Sequence, residues 1–250
     1  MNEVRRTPYP VAATTWMVGE RRTRLLDLGS GRGGFAAMLH DAGHEVFCLD
    51  REVDVVAHLA DRLGTRLHVV GQVESLPYLS CHFDVVTASQ TLHRFAPGLA
   101  LTEIARVLRP GGHLAVAFNT RDDTVPWVRR LTALLREADP QAMGGDFGLE
   151  AVEALAESPY FTGLERRNFR NWVPITRDGL LTMVRRQPWA ASLSEERRTR
   201  LLTDVGELYD SSARAPEPLL LPFQSACWRA QVDHSSLGLL EDEDALEIRL

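Results

Sequence analysis

The first half of the chain alternates short, continuously apolar runs with longer stretches whose apolar residues recur at helical spacing. The apolar runs predict five strands, at residues 23–29, 44–50, 65–71, 82–89 and 112–118. The longer stretches predict helices at residues 34–43, 51–64 and 98–108. Because the strands are apolar throughout instead of alternating with polar residues, we expect a parallel sheet covered by helices on both faces.

The second half of the chain is less regular. Helical spacing predicts helices at residues 124–138, 149–158, 176–187 and 192–210, and apolar runs predict strands at residues 160–170 and 219–231. We find no internal repeat and no low-complexity linker, and therefore expect a single α/β domain over residues 1–232. Residues 233–250 are rich in acidic residues and predict a tail that is either a frayed helix or disordered.

Composition limits the possible partners. The hydrophobic fraction of 44% and charged fraction of 25% are those of an ordinary globular protein, and the formal net charge is −6. All 28 basic residues are arginine, and acidic residues are interleaved with the arginine pairs. Because a nucleic-acid-binding protein usually carries a basic stripe, we expect no nucleic-acid partner.

The cysteines and the apolar runs bear on location. Three widely spaced cysteines give neither a disulfide framework nor a metal-binding spacing, and Cys48 and Cys227 lie in strand-like runs where they are expected in the core. No apolar run approaches the roughly 18 residues of a membrane span. Residues 11–19 make a poor signal-peptide core. We therefore expect a cytoplasmic protein with no membrane partner and no metal.

The stretch LLDLGSGRGG, residues 25–34, predicts a strand, a glycine-rich turn and the start of a helix, the usual cradle for a nucleotide-like ligand. Two motif spacings overlap in it. The G-x-G-x-x-G pattern of dinucleotide sites is met by Gly29, Gly31 and Gly34. The acidic-x-G-x-G-x-G pattern, which points to S-adenosylmethionine, is met by Asp27, Gly29, Gly31 and Gly33.

Asp50 ends the second predicted strand, about 20 residues beyond the glycine turn, where an acid can accept both hydroxyls of a ribose. This position suits either ligand, so Asp50 indicates an adenosine-bearing molecule without choosing between them. The alternative is that Asp50 is the N-cap of the helix that follows.

The choice comes from motifs further along the chain. GQVESLPYLSCHFDVV at residues 71–86 and RVLRPGGHLAVAF at residues 106–118, taken with Asp27 in the first motif, resemble the class I S-adenosylmethionine-dependent methyltransferases. Residues 6–18, 92–95, 119–135 and 219–230 are similar to a small-molecule branch of these enzymes, the methyltransferase type 11 proteins that include trans-aconitate-methyltransferase-like proteins.

This resemblance implies a Rossmann-like α/β fold with a mostly parallel seven-stranded sheet. The implied strand order is 3-2-1-4-5-7-6 with strand 7 antiparallel, helices cover both faces, and helical cap elements lie at about residues 120–160 and 176–210. It implies transfer of a methyl group from S-adenosylmethionine to a small-molecule acceptor by in-line displacement, leaving S-adenosylhomocysteine. The acceptor atom stays open between oxygen, nitrogen, carbon and carboxylate, and we expect a monomer or homodimer.

The resemblance also assigns cofactor-binding residues. The methionine end of the cofactor falls to Asp27 and the turn, the ribose to Asp50, and the adenine edge to Gln72, Val73 and Glu74. Gln72 departs from the Asp or Ser that is common there, although its carbonyl can still accept from the adenine amino group. The full predicted set is Asp27, Gly29, Ser30, Gly31, Gly33, Asp50, Arg51, Gln72, Val73, Glu74, Ser89 and Gln90.

On the acceptor side, His93 is the candidate general base because it follows the fourth strand; alternatively, it only shapes the pocket or caps a turn. Tyr9 belongs either to a flap that closes over the cofactor or to an aromatic anchor for the N-terminal segment. Asn119, Arg121 and Trp127 are candidate substrate contacts, where Arg121 would pair with a carboxylate or lie at the surface.

Two rival functions stay open at this point. A cofactor-binding protein that has lost its acceptor site would keep the same motifs. An NAD(P)-dependent oxidoreductase would share the glycine turn and Asp50, but it has no reason to carry RVLRPGG.

Overall fold

A computed structural model describes residues 9–64, 67–140, 148–214 and 218–237. The described residues form two compact units. The first unit contains those within residues 9–118, 148–169 and 226–237, and the second contains those within 119–140 and 170–225. The predicted boundary of one domain over residues 1–232 stays a prediction, and most of the acidic tail, residues 238–250, lies outside the described residues.

Alternating strands and helices build most of the first unit. Its strands are β1 (Arg24–Leu28), β2 (Glu45–Asp50), β3 (His68–Val70) and β4 (Phe83–Ser89). Its helices are α1 (Val11–Val18), α2 (Gly34–Asp41), α3 (Val53–Leu63) and α4 (Pro97–Val107), followed later in the chain by α6 (Leu149–Ala156). The second unit contains the helices α5 (Pro126–Ala138), α7 (Arg177–Arg185) and α8 (Glu195–Ser212). Three long strands have residues in both units: β5 (Leu108–Arg121), β6 (Phe161–Ile175) and β7 (Leu219–Val232).

The seven strands form one sheet in the order β3-β2-β1-β4-β5-β7-β6. The pairs β1–β2, β1–β4, β2–β3 and β4–β5 are parallel. β7 runs antiparallel to β5. The Asp122 N–H donates to the Pro222 carbonyl, and Asn119 contacts Ser225, so residue numbers rise along β5 as they fall along β7. This order and the antiparallel strand 7 confirm the predicted fold class.

Apolar burial explains why the central strands form. On β1, Leu25, Leu26 and Leu28 are fully buried, as expected for a strand covered on both faces. Cys48 and Cys227 are also buried, which confirms their predicted place in the core.

The core of the second unit forms where one face of each helix turns inward. Buried residues of this core include Leu131 of α5, Leu180 of α7 and Val205 of α8. The starts of two of these helices are capped by side chains: Thr176 accepts from the Gly179 N–H and Ser194 from the Arg197 N–H. Within the described ranges, no helix combines the length and apolar character needed to cross a membrane.

Three elements differ from the sequence expectation. β5 begins at Leu108 instead of residue 112, so the RPGG segment belongs to the strand, and β6 continues to Ile175 instead of ending at residue 170. The helix α1 forms where the sequence indicated only an apolar stretch. The turn-like RPGG residues stay within β5 because this strand still pairs with β4. The pairing is kept by a register shift between Phe83 and Val85.

Gly112 in this segment should not tolerate a side chain. A Cβ at Gly112 would lie 2.8 Å from the Asp84 carbonyl oxygen and 2.9 Å from that of Arg109, and backbone cannot move aside as a side chain can. We expect Gly112→Ala to lower the free energy of unfolding by about 1–3 kcal/mol, measured by urea denaturation. Gly98→Ala in α4 is the matched control, since nothing lies within 4 Å of its Cβ, and it should be neutral or slightly stabilising. Equal losses in both variants would contradict this account.

Candidate active site

The turn after β1 has a backbone that only glycine adopts easily. Gly29, Gly31 and Gly33 have φ values of +65°, +51° and +70°. A Cβ at Gly29 would approach the Thr91 Cγ2 to 2.8 Å, and one at Gly33 would collide with Leu59. The turn therefore packs tightly against Thr91 and Leu59 at Gly29 and Gly33. At Gly31 there is more room, since a Cβ there would meet only the Gly29 carbonyl oxygen, at 3.9 Å.

A cavity of ≈ 540 Å³ opens beside this turn, entirely within the first unit. Three chain segments that the sequence analysis assigned to one cofactor line it together: the turn after β1, the end of β2 and the segment after β3. The lining residues are Gly29, Gly31, Leu49, Asp50, Arg51, Glu52, Val55, Gly71, Gln72, Val73, Glu74, Thr91, Arg94, Phe95 and Ala96.

The Asp50 carboxylate lies at the edge of the cavity and is oriented by two backbone donors. Its Oδ2 accepts from the Gly31 N–H at 2.9 Å and its Oδ1 from the Glu52 N–H at 3.1 Å. Each oxygen keeps a lone pair for a further donor, such as a ribose hydroxyl. The N-cap of α3 is Glu52, so the alternative role of Asp50 as the cap of that helix does not hold. Arg51 is exposed and pairs with Glu52, with Nε 3.3 Å from Oε1.

The segment after β3 forms the opposite wall of the cavity. Gln72 pairs with Ser75 in an isolated antiparallel bridge, and Val73 is buried. The Glu74 Oε1 accepts from the Ala96 N–H at 2.9 Å, just before α4 begins. Glu74 thus ties this segment to the loop before α4, a positioning contact that the sequence did not indicate.

Asp27 is buried beneath the turn, with 1% of its surface exposed. The Thr87 hydroxyl donates to its Oδ1 at 2.8 Å, and the Ser30 hydroxyl donates to its backbone carbonyl at 2.8 Å. Burial raises the pKa of Asp27 to about 6, and the hydrogen bonds from Thr87 and Ser30 only partly oppose this. No cationic side chain of the described residues pairs with this carboxylate. Such a carboxylate suits a ligand that brings its own positive charge.

Ser89 is the last residue of β4, and Gln90 follows it. The Ser89 Oγ lies 2.8 Å from the hydroxyl of Tyr9, which also donates to the Ala117 carbonyl at 3.3 Å. Gln90 takes a φ of +62°, a left-handed conformation that non-glycine residues seldom adopt, and its N–H donates to Ala117. Strained backbone of this kind is frequent at functional sites.

Tyr9 is fully buried, and its ring contacts Phe35 edge-on at 5.1 Å between centroids. Burial raises the pKa of its hydroxyl well above the ordinary value, so the hydroxyl stays protonated at neutral pH. These contacts suit an aromatic anchor for the N-terminal segment, and the role of Tyr9 in a flap over the cofactor stays a prediction.

His93 lies in a short 3-10 turn after β4, exposed, with its ring 5.7 Å from that of Phe118. Partial burial, and then the charge of Arg94, hold the pKa of His93 below its ordinary value. The ring is therefore neutral at pH 7 and can accept a proton.

The remaining predicted acceptor residues belong to the second unit. The Asn119 Oδ1 accepts from the Ser225 hydroxyl at 2.5 Å, and the Arg121 guanidinium contacts the Met183 sulfur at 3.4 Å. Trp127 is partly buried against the apolar core of that unit. The first unit thus contains the predicted cofactor residues together with Tyr9 and His93.

Two threonines beside the site were not among the predicted residues. Thr87 holds the Asp27 carboxylate, and Thr91 packs under Gly29, lines the cavity and donates its hydroxyl to the Leu28 carbonyl at 2.9 Å. Thr87 lies near the end of β4, and Thr91 lies just after it. Polar residues at the end of an apolar strand can indicate a ligand site. Among the described residues, no group of three His, Cys, Asp or Glu side chains could hold a metal ion.

Known proteins resemble this chain in sequence and in fold. Residues 26–116 match the family described as a methyltransferase domain. An uncharacterized methyltransferase of Mycobacterium tuberculosis is 28% identical over 228 residues, covering 90% of each chain. A structure of a proposed type II methyltransferase from Anaeromyxobacter dehalogenans is 20% identical with a TM-score of 0.65, and the match covers 90% of this chain and 97% of that one.

A second solved structure contains a ligand. It is a phosphoethanolamine N-methyltransferase 2 from Haemonchus contortus with phosphomonomethylethanolamine and S-adenosylhomocysteine, 18% identical with a TM-score of 0.52. The match covers 88% of this chain and 51% of that one. At such identities the two structures support the fold alone. Residues 26–116 thus resemble a methyltransferase domain, and the seven-stranded sheet has the class I fold.

Proposed function

We propose that the protein transfers a methyl group from S-adenosylmethionine to a small-molecule acceptor and releases S-adenosylhomocysteine. The observation that carries this proposal is that one cavity is lined together by the glycine turn, Asp50 and residues 72–74. The methyltransferase domain match over residues 26–116 supports it independently. A cytoplasmic location and a monomeric or homodimeric state stay predictions.

Each part of the cavity suits one part of this cofactor. Asp50, already oriented by two backbone N–H groups, would accept the ribose hydroxyls. Gln72 and the buried Val73 would face the adenine. Of the turn at residues 29–33, Gly29 and Gly31 line the cavity and would hold the methionine end. Asp27, Ser89 and Gln90 are not among the lining residues, and their proposed contacts with the methionine end lie beyond this cavity.

The charge of Asp27 favours this cofactor over a dinucleotide. A buried carboxylate without a cation is unfavourable, and a ligand that brings positive charge removes the penalty. S-adenosylmethionine carries both an ammonium and a sulfonium, whereas the pyrophosphate of NAD is negative and would be repelled. Asp27 therefore supports the methyl donor over the oxidoreductase alternative.

The acceptor side needs alignment and exclusion of water. S-adenosylmethionine, when bound, supplies a methyl group already activated by a positive sulfur, so in-line approach of the acceptor is the main requirement. The neutral His93 would take the proton of a hydroxyl or amine acceptor. Tyr9, Asn119, Arg121 and Trp127 are the further proposed acceptor-side residues.

The ribose assignment is tested by Asp50→Ala. Loss of a charged acceptor should weaken binding of S-adenosylhomocysteine by about 1.5–3 kcal/mol, measured by titration calorimetry. Asp61→Ala, an exposed acid on α3, is the matched control and should bind as the wild type does. Wild-type affinity in Asp50→Ala would show that the ribose lies elsewhere, and binding of NADH without binding of S-adenosylhomocysteine would overturn the proposed function.

The unfavourable burial of the Asp27 carboxylate should make the free energy of unfolding depend on pH. Its folded-state pKa of about 6 lies above the ordinary 3.8, so the folded protein loses stability as pH rises between about 4 and 6. Asp27→Asn keeps an acceptor for Thr87 without the charge. In the cofactor-free protein it should raise the free energy of unfolding by up to about 3 kcal/mol near pH 7.5, since each pKa unit is worth about 1.4 kcal/mol.

Urea unfolding of the wild type and Asp27→Asn at two pH values gives the measurement. The stability gap between them should shrink by about 2 kcal/mol when the pH falls from about 7.5 to about 4.5. Asp61→Asn controls for the removal of an exposed charge and should show no such change. A gap that stays constant with pH would mean that Asp27 is not strained by burial.

The role of His93 is separable from cofactor binding. We expect His93→Ala to lower kcat on an identified acceptor by about 10²–10⁴-fold while leaving the affinity for S-adenosylhomocysteine unchanged. His58→Ala, an exposed histidine on α3, serves as the control. Unchanged kinetics in His93→Ala would assign the residue to shaping the pocket.

A further inference from the structure

The first unit contains a second cavity, which we call the α1–α2 cavity. Its volume is ≈ 470 Å³, within the range of small-molecule binding sites. Its walls come from α1, α2 and α3 and from the segments that follow α1 and α2, and it shares no lining residue with the cavity proposed for the cofactor. The lining residues are Val11, Thr14, Thr15, Gly19, Glu20, Gly34, Ala37, Met38, Asp41, Ala42, His44 and Arg62.

Most of the wall of the α1–α2 cavity is apolar. Val11, Ala37, Met38 and Ala42 supply hydrocarbon groups and a thioether. Val11 is 71% exposed, which is unusual for a valine unless other apolar groups cover it at times. Concave apolar surface of this kind favours a ligand whose body is mainly hydrocarbon.

His44 is a buried polar residue on this wall, with 6% of its surface exposed. Its Nδ1 is buried, and neither ring nitrogen has a hydrogen-bond partner among the described residues. Burial lowers the pKa of His44, so the imidazole is neutral at pH 7. A neutral imidazole has one donor and one acceptor, and both are unused here.

Thr14 is a second buried polar residue on the same wall, with 4% of its surface exposed. Its hydroxyl lies 3.5 Å from the Pro10 carbonyl oxygen and 3.5 Å from the Met38 sulfur. The first distance is long for a hydroxyl donor, and a thioether is a weak acceptor. Since incomplete hydrogen bonding of a buried polar group lowers stability, a ligand that pairs with Thr14 and His44 would be favoured.

The charges around the cavity indicate a neutral ligand. Glu20, Asp41 and Arg62 are exposed, and Arg62 already donates from Nη1 to the Arg32 carbonyl at 2.6 Å. Two negative charges and one positive charge disfavour an anion. The buried lining residues carry no charge at pH 7, so a charged group among them would lose its hydration without gaining a partner.

A hydroxyl is the polar group that fits best. It both donates and accepts, and therefore pairs with the imidazole of His44 whichever ring nitrogen is protonated. It can likewise donate to the Thr14 hydroxyl or accept from it.

We propose that the α1–α2 cavity binds a small, neutral, mainly hydrocarbon molecule that carries a hydroxyl group, with Thr14 and His44 as its hydrogen-bond partners. This site is separate from the proposed methyl transfer and does not depend on it.

The test measures binding of three related probes to the full chain by equilibrium dialysis at pH 7. The probes are 2-naphthol, naphthalene without the hydroxyl, and the anion 2-naphthoate. We expect 2-naphthol to bind about tenfold more tightly than either of the others, because only it offers a neutral group that donates and accepts.

Two variants test the polar contacts. Thr14→Val removes one hydroxyl at nearly constant shape, and His44→Phe removes both ring nitrogens. Each should reduce the preference for 2-naphthol over naphthalene to about threefold or less while leaving naphthalene binding unchanged. Thr102→Val is the matched control, since the Thr102 hydroxyl on α4 also faces a carbonyl four residues earlier, that of Gly98, and Thr102 lies outside the α1–α2 cavity.

A third variant tests the location. An added Cβ at Gly34 meets nothing within 4 Å, so Gly34→Phe should fold and place its ring in the open space of the cavity. It should weaken both 2-naphthol and naphthalene by at least about tenfold. Gly98→Phe on α4 is the matched control, because its Cβ also meets nothing within 4 Å, and it should bind both probes as the wild type does.

Several outcomes would overturn the proposal. Absence of 2-naphthol binding, or equal losses in Gly34→Phe and Gly98→Phe, would exclude this cavity as the site. Equal affinities of the wild type for 2-naphthol and naphthalene, or tighter binding of 2-naphthoate, would refute the ligand class. Competition between 2-naphthol and S-adenosylhomocysteine would place the probe in the cofactor cavity, whereas failure of S-adenosylhomocysteine to bind would refute only the methyl transfer.

Discussion

The parallel pairing of β1 with strands on both sides is the constraint on which the rest of the first unit depends. Its register sets Asp27 opposite Thr87 of β4 and Leu28 opposite Leu49 of β2. Because parallel strands end at a common edge, the glycine turn, the Asp50 carboxylate and the loop after β4 must meet there. The cavity is thus a consequence of strand order, and its chemistry follows from which residues stand at the strand ends.

The first unit contains a buried charge that the described residues do not neutralise. The Thr87 hydroxyl donates to the Asp27 carboxylate, and among the described residues no cation pairs with it. A sequence selected for stability alone would pair or remove such groups, because apolar residues of similar size are usually more stable in the interior. The proposed cofactor, which brings positive charge, would explain why this carboxylate is retained.

Much of the fold could be predicted because it depends on local pattern. Continuous apolar runs and helical periodicity identified the strands and helices, and the family motifs supplied the strand order. The glycine turn, the end of β2 and the segment after β3, which were predicted to bind the cofactor, line one cavity because topology fixes their positions at the strand ends. The start of β5 was harder, since the arginine, proline and two glycines at residues 109–112 have the composition of a turn, and only pairing with β4 keeps them in the strand.

Contacts between distant residues could not be predicted in this way. The bond from Thr87 to Asp27 joins residues 60 positions apart, and that from Tyr9 to Ser89 joins residues 80 apart, so both depend on register. The absence of an acidic partner for Arg121 among the described residues was equally hard to predict, for a different reason. With 34 acidic and 28 basic residues, every arginine could in principle find a partner, and charge counting predicts none left over. Whether a cation is paired depends on the direction of each nearby carboxylate, and the Thr124 hydroxyl and Gln224 amide hold the carboxylate of Asp122 in place. Local geometry, and not overall charge, therefore decides whether an arginine has an acidic partner.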